Sequence, residues 1–230
     1  MGVARNIPSR KRVVILGSTG CVGRKTLEVI RRYPERFEVV ALVAARDVEG
    51  LAAQSRIFSP RCVALAHERH ARRFLREIGT HPSPRIFTGE AGIAEILEGE
   101  EIDLVVSAIP GIAGLWPTLS AARLGYDIAI ACKEAIVAGG HLLVECVRKH
   151  GGRLIPLDSE HNAIFRLLAY DPTPPRRIVL TASGGPFLHR EDLHGVTPEE
   201  AVRHPIWRMG PKISVDCATL MNKGLEIIEA

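Results

Sequence analysis

What this chain has little of narrows its function first. Aromatic residues make up 5% of its 230 residues and are not interleaved with basic ones, so the stacking platform of a single-strand nucleic-acid binder is missing. The formal net charge is only +4, and Lys and Arg are dispersed apart from Arg10-Lys11-Arg12. No basic stripe for nucleic acid stands out, although a mildly basic surface suits a phosphorylated small molecule. No apolar run has the length of a bilayer span, and the N-terminus lacks the apolar core of a secretion signal; residues 1–11 read as a short polar tail. Cysteines are few and odd in number (five, at 21, 62, 132, 146 and 217), with no C-x-x-C pair. Neither a zinc site nor a disulfide framework is indicated, and a reducing cytoplasm is the expected location. His67 and His70 stand at a spacing that can hold a metal, but their arginine neighbours favour a solvated helix face. The expected partners therefore include no nucleic acid and no membrane.

What is present is an alternation. Hydrophobic content of 46% is ample for a core. Apolar strand-like runs at 12–16, 37–44, 62–65, 85–87, 102–109 and 127–131 are separated by helical patterns, among them 24–32, 117–124 and 141–149. Such alternation predicts an α/β protein whose parallel sheet is covered on both faces, a doubly wound Rossmann-type domain. Gly151-Gly152 marks the expected boundary, giving a nucleotide-binding domain over 1–150 and a second domain over 151–230. In the second domain the pattern predicts a strand at 153–157, a helix at 162–168, a proline-stiffened loop at 170–176 and a strand at 177–182. Thr197 and Glu200 form a capping-box signature ahead of a short helix at 198–203. Residues 218–230 read as one helix with Met221, Leu225 and Ile228 on its apolar face.

Five segments carry chemistry. Gly17-Ser18-Thr19-Gly20-Cys21-Val22-Gly23 lies between the first strand and the first helix. Glycines there permit a tight turn and close approach of a pyrophosphate to the helix N-terminus; the plain alternative is an ordinary glycine-rich turn. After the second strand, Ala44-Ala45-Arg46 places a guanidinium where NAD enzymes place an acid, which points to the 2′-phosphate of NADPH. Lys133-Glu134 follows the strand at 127–131, at the carboxyl edge of the sheet. Further on, Asp158-Ser159-Glu160 ends a strand with two acids and a hydroxyl. That pattern fits a hard divalent cation, Mg²⁺ or Mn²⁺, or else a helix N-cap. Ser183-Gly184-Gly185 offers a hydroxyl and a nest of backbone N–H groups suited to phosphate.

The segment Asp158-Ser159-Glu160-His161-Asn162-Ala163-Ile164-Phe165 resembles the metal-binding signature of the 1-deoxy-D-xylulose 5-phosphate reductoisomerase family. Four further blocks resemble that family in the same order: Gly17 to Gly20, Lys133-Glu134, Leu180 to Phe187, and Lys212 to Glu226. The resemblance runs from about Val13 to Ala230. It implies NADPH- and metal-dependent rearrangement and reduction of deoxyxylulose phosphate to methylerythritol phosphate in isoprenoid synthesis. It also implies that Asp158, Glu160 and Glu226 are the metal ligands, and that these with Lys133, near the nicotinamide, form the catalytic set. Ser159 would touch the substrate. Ser183, His204, Asn222, Lys223 and position 217 would bind its phosphate, His204 as a possible cation, with Trp207 and Met209 on a loop that closes over it. Glu229 lies one turn beyond Glu226 on the same helix face.

The pattern departs from the family in places. Cys132 and Ile206 replace an Asn, Cys217 a Ser, and Pro211 an Arg or similar residue. Family members are homodimers and longer than this chain, which therefore resembles a fragment or shortened product with an incomplete α/β catalytic domain. It is expected to bind NADPH with little turnover by itself. A catalytically inactive NADPH-binding remnant and a reductase of a related sugar phosphate are the rival functions.

Overall fold

The alternation of short apolar strands with helices builds a parallel sheet. The computed structural model describes residues 10–171 and 173–230. All but the last two residues of the expected polar tail, and Pro172 of the expected stiff loop, lie outside them. The element order is β1 (Lys11–Leu16), α1 (Cys21–Arg32), β2 (Phe37–Ala44), α2 (Val48–Phe58), β3 (Cys62–Leu65), α3 (Glu68–Ile78), β4 (Arg85–Thr88), α4 (Gly89–Gly99) and β5 (Leu104–Ser107). After a single 3-10 turn come α5 (Leu115–Arg123), β6 (Asp127–Ile130), α6 (Lys133–His150), β7 (Leu154–Pro156), α7 (Ser159–Tyr170), α8 (Pro198–Ala201), α9 (Pro211–Ala218) and α10 (Met221–Glu229).

The seven strands lie in the order β4-β3-β2-β1-β5-β6-β7. The registered pairs among the first six strands are parallel. The order reverses between β1 and β5, the crevice where open α/β sheets bind ligands. Period-two alternation along β1 sends neighbouring side chains to opposite faces. Val13 and Ile15 join a core with Leu27 of α1, Leu51 of α2 and Phe74 of α3. Val14 and Leu16 join a second core with Ile96 of α4, Ala121 of α5 and Leu143 of α6. The doubly wound fold follows from this two-sided burial.

Local chemistry fixes the helix limits. Asp47 caps α2 by accepting from the Gly50 N–H at 2.9 Å. Arg148, Lys149 and His150 fill the last turn of α6, which ends on Gly151 in the left-handed conformation. The helix expected at 141–149 is the second half of α6, which begins at Lys133 and kinks at Gly140.

The chain divides into two compact units between Ile155 and Pro156. In the second, two expectations fail. Residues 177–182 form no strand, because no neighbouring strand takes up their backbone groups, and most of them are exposed. The helix expected over 218–230 starts later: Ala218 ends α9, Leu220 adopts φ +60°, and α10 runs from Met221 to Glu229. The capping box holds: Thr197 accepts from the Glu200 N–H, and Glu200 reaches back to the Thr197 N–H at 2.9 Å.

Candidate active site: a glycine-rich turn and a carboxylate cluster

In the first unit the glycine-rich turn closes the end of β1. The N–H groups of Gly17 and Ser18 both donate to the Val43 carbonyl, at 2.9 and 2.8 Å, and Gly20 donates to Gly17 at 3.1 Å. Gly17 has φ +85°, and a Cβ there would lie 2.6 Å from the Ala108 carbonyl oxygen, beyond the end of β5. Only glycine satisfies both demands. Gly20 caps α1 with no side-chain hydrogen bond, so Cys21, Val22 and Gly23 present the positive end of the helix. The Arg24 guanidinium donates to the Thr19 carbonyl. Ser18 is fully buried, and its Oγ has no hydrogen-bond partner among the described residues. An orphaned hydroxyl inside a phosphate-type turn fits a ligand that brings acceptors.

Beyond β2, Arg46 is exposed. An acid does stand beside it, which the reading of Ala44-Ala45-Arg46 passed over. Asp47 is engaged in capping α2, so its carboxylate already has a structural role. Lys133 is buried and opens α6, whose first turn also carries Glu134. Cys132 precedes it. Burial, with the nearby Glu134 carboxylate, pushes the Cys132 thiol up to about 11, so it stays protonated and donates to the Gly111 carbonyl at 3.3 Å.

In the second unit the carboxylates gather. Ligand oxygens of Asp158, Glu160 and Glu226 all lie within 4.8 Å of one another. Asp158 ends the segment after β7, Glu160 opens α7, and Glu226 comes from α10 more than sixty residues on. Glu226 is only 1% exposed. A buried carboxylate requires partners. Asn222 Nδ2 donates to Glu226 Oε1 at 2.6 Å, and Lys223 Nζ donates to Glu226 Oε2 and to Glu160 Oε1, the latter at 3.1 Å. Desolvation alone would lower the Lys223 ammonium pKa; the hydrogen bonds and charges of Glu226 and Glu160 outweigh it and hold it above its ordinary value. Ser159 Oγ donates to Glu160 Oε2 at 2.5 Å. Asp158 Oδ1 accepts from the Glu160 N–H at 3.2 Å, so this carboxylate also caps α7.

On the apolar face of α10 Met221 and Ile228 are 56% and 66% exposed, while Glu226 faces inward. Sequence reasoning also gave no role to His161. It is buried, with Nδ1 3.2 Å from Asp158 Oδ1 and 3.3 Å from Glu229 Oε2, and Nε2 3.0 Å from the Glu226 carbonyl. Its place between the two acids of the Asp-Ser-Glu motif and the next helical turn was the only hint.

Ser183 and His204 meet, with Oγ and Nε2 2.9 Å apart. His204 Nδ1 accepts the backbone N–H groups of Ile206 and Trp207 at 3.2 and 3.0 Å. That leaves Nε2 as the ring nitrogen that faces the Ser183 hydroxyl. The Trp207 indole is 60% exposed and Met209 half-buried, on a segment without regular structure. Gly184 and Gly185 both have positive φ, and a Cβ on Gly185 would lie 2.9 Å from the Cys217 carbonyl oxygen, so the turn after Ser183 backs closely onto the end of α9.

Comparison with known proteins shows the family. The profile of the 1-deoxy-D-xylulose 5-phosphate reductoisomerase family matches residues 13–140, and that of the C-terminal domain of the same enzyme matches residues 154–230. Relatives named 1-deoxy-D-xylulose 5-phosphate reductoisomerase include one from Chlorobaculum tepidum, 49% identical over 223 residues. Another, from Moorella thermoacetica, is 50% identical over 224 residues. Each alignment covers 96% of this chain and 58% or 57% of the relative, so the chain spans under two thirds of their length. A crystal structure of DOX-P reductoisomerase in complex with NADPH, fosmidomycin and magnesium superposes with a TM-score of 0.89 at 39% identity, covering 96% of this chain and 57% of that one. The Zymomonas mobilis enzyme in complex with NADPH gives 0.86 at 40% identity, with the same coverage.

Proposed function

The chain belongs to the 1-deoxy-D-xylulose 5-phosphate reductoisomerase family, and from that premise we propose that it carries the NADPH- and divalent-metal-dependent conversion of 1-deoxy-D-xylulose 5-phosphate to 2-C-methyl-D-erythritol 4-phosphate. The observation that supports this most is the convergence of Asp158, Glu160 and Glu226 oxygens within 4.8 Å. Three carboxylates suit Mg²⁺ or Mn²⁺, both of which take oxygen ligands. When bound, the metal supplies Lewis-acid stabilisation of developing oxyanion charge, and NADPH supplies the hydride.

The chain's own residues divide the remaining work. Gly17 to Gly23, with the buried Ser18 hydroxyl and the exposed N-terminus of α1, hold the dinucleotide phosphates. Arg46 takes the 2′-phosphate, and Lys133 with Glu134 lines the nicotinamide end. Asp158, Glu160 and Glu226 fix the metal, while Ser159 orients the substrate. Ser183, His204, Asn222, Lys223 and position 217 supply donors to the substrate phosphate, His204 through Nε2. Trp207 and Met209 cover the substrate, excluding water while the carbon skeleton rearranges and the resulting aldehyde is reduced. We place the protein in the cytoplasm, in keeping with its five free cysteines, and expect the homodimer of its relatives. No helix among the described residues is long and apolar enough to cross a membrane.

Binding tests this reading without requiring turnover. Mn²⁺ should bind the chain, and Glu226→Gln should weaken that binding by on the order of a hundredfold, as loss of one buried charged ligand requires, with NADPH affinity unchanged. Wild-type Mn²⁺ affinity in the folded Glu226→Gln variant would refute the metal assignment. Mn²⁺-dependent NADPH oxidation by a different sugar phosphate, and not by deoxyxylulose phosphate, would redirect the substrate assignment.

A further inference from the structure

Lys223 stands where its charge matters most. Its Nζ bonds both Glu160 Oε1 and Glu226 Oε2, two of the three carboxylates of the cluster. The side chain is only 16% exposed, so water screens these pairs weakly. The remaining oxygens of the same two residues have other donors: Ser159 Oγ at Glu160 Oε2 and Asn222 Nδ2 at Glu226 Oε1. The oxygens facing Lys223 are therefore the ones whose partner is a monovalent, mobile cation. A divalent ion held by Glu160 and Glu226 competes with that ammonium for the same negative charge.

We propose that Lys223 is a resident counter-ion of the carboxylate cluster, which metal binding displaces and thereby releases to meet the anionic substrate. The proposal rests on the metal site proposed above. The cluster holds three carboxylates and one ammonium, a formal charge of −2, which a single divalent ion would neutralise. With the metal taking over the carboxylates, the ammonium is freed from its direct hydrogen bonds to Glu160 and Glu226 on a flexible four-carbon stem. Metal and phosphorylated substrate are then positively coupled through one side chain, and the coupling is reciprocal. Without the metal, Lys223 is tied to Glu160 and Glu226 and contributes little to an anion.

The experiment measures Mn²⁺ binding to the full 230-residue chain by the electron paramagnetic resonance signal of free Mn²⁺. Lys223→Gln, which removes the competing charge, should bind Mn²⁺ more tightly than wild type, on the order of tenfold. Lys223→Arg, which keeps the charge, should stay near wild type. Equal or weaker binding by a folded Lys223→Gln variant overturns the proposal. A second measurement needs no variant: reductive methylation of Lys223, followed by mass spectrometry, should speed up several-fold as Mn²⁺ is added. An unchanged or slower rate overturns it. Glu226→Gln separates the two ideas. If that variant keeps wild-type Mn²⁺ affinity, the metal site itself is wrong. If it loses Mn²⁺ while Lys223→Gln gains nothing, only the counter-ion role is wrong.

Discussion

Gly23→Ala isolates the close packing on which the nucleotide turn depends. Gly23 is the third residue of α1 and is buried. A Cβ at that position would lie 2.3 Å from the Gly17 carbonyl oxygen, 2.5 Å from the Ser18 oxygen and 2.6 Å from the Ser18 carbonyl carbon. All three are backbone atoms, so no side chain can swing aside. Ordinary contact begins near 3.4 Å, and the turn and the helix must separate by roughly 1 Å to restore it. Overpacking of this kind costs about 1–3 kcal/mol. Alanine's better helix propensity returns up to about 1 kcal/mol. The net loss of about 1–2 kcal/mol should lower Tm by roughly 3–6 °C in a chain of this size. The same shift moves the Gly17 and Ser18 groups that would face the dinucleotide, so NADPH affinity should fall tenfold or more, about 1.4 kcal/mol. Thermal unfolding and an NADPH fluorescence titration read both effects. Gly99→Ala is the control. It is exposed near the end of α4, a Cβ there meets nothing within 4 Å, and the change should be neutral or slightly stabilising. A Gly23→Ala protein with wild-type Tm and wild-type NADPH affinity would refute the argument.

The other predictions concern charge and donors. Arg46→Ala should weaken NADPH about tenfold, the scale of a hydrogen bond to a charged group, and leave NADH nearly unchanged; equal losses for both in a titration would remove Arg46 from the 2′-phosphate. Cys217→Ser should tighten binding of the phosphorylated substrate, because a hydroxyl donates more strongly than a thiol; unchanged or weaker binding with the fold intact would argue against a phosphate site there. Hydrogen bonds from Arg12 hold the Asp103 carboxyl at about 2, below its ordinary 3.8. Because the folded value is depressed, its contribution is complete above about pH 4 and disappears as pH falls towards 2. The stability gap between wild type and Asp103→Asn should therefore close over that range in acid denaturation, and a constant gap would contradict the assignment.

The first unit was legible because its signals are local. Val13 to Leu16 alternate between two cores, the following glycines demand a turn, and the helix begins at once. The pairing of Asp158 with Glu160 was legible for the same reason, since the two acids are two residues apart. What escaped were pairings across long separations. The partners Asn222 and Lys223 of the buried Glu226 are local, but Lys223 also reaches Glu160, 63 residues away, and no pattern within α10 shows that link. The strand expected at 177–182 failed because β pattern without a pairing edge is not a strand. Asp47 was passed over beside Arg46 because capping is visible only once α2 has a start.

The interior of the second unit has an energetic consequence. Its most enclosed side chains among the described residues are those of His161, Ser214, Glu226 and Glu229, with no hydrophobic residue buried. Heat capacity and denaturant sensitivity scale with the non-polar surface that unfolding exposes. Taken by itself, this unit then has little to make its melting steep. The chain around the carboxylates is held by the enclosed contacts of Lys223 with Glu160 and Glu226 and of His161 with Asp158 and Glu229, while the first unit rests on its two apolar cores.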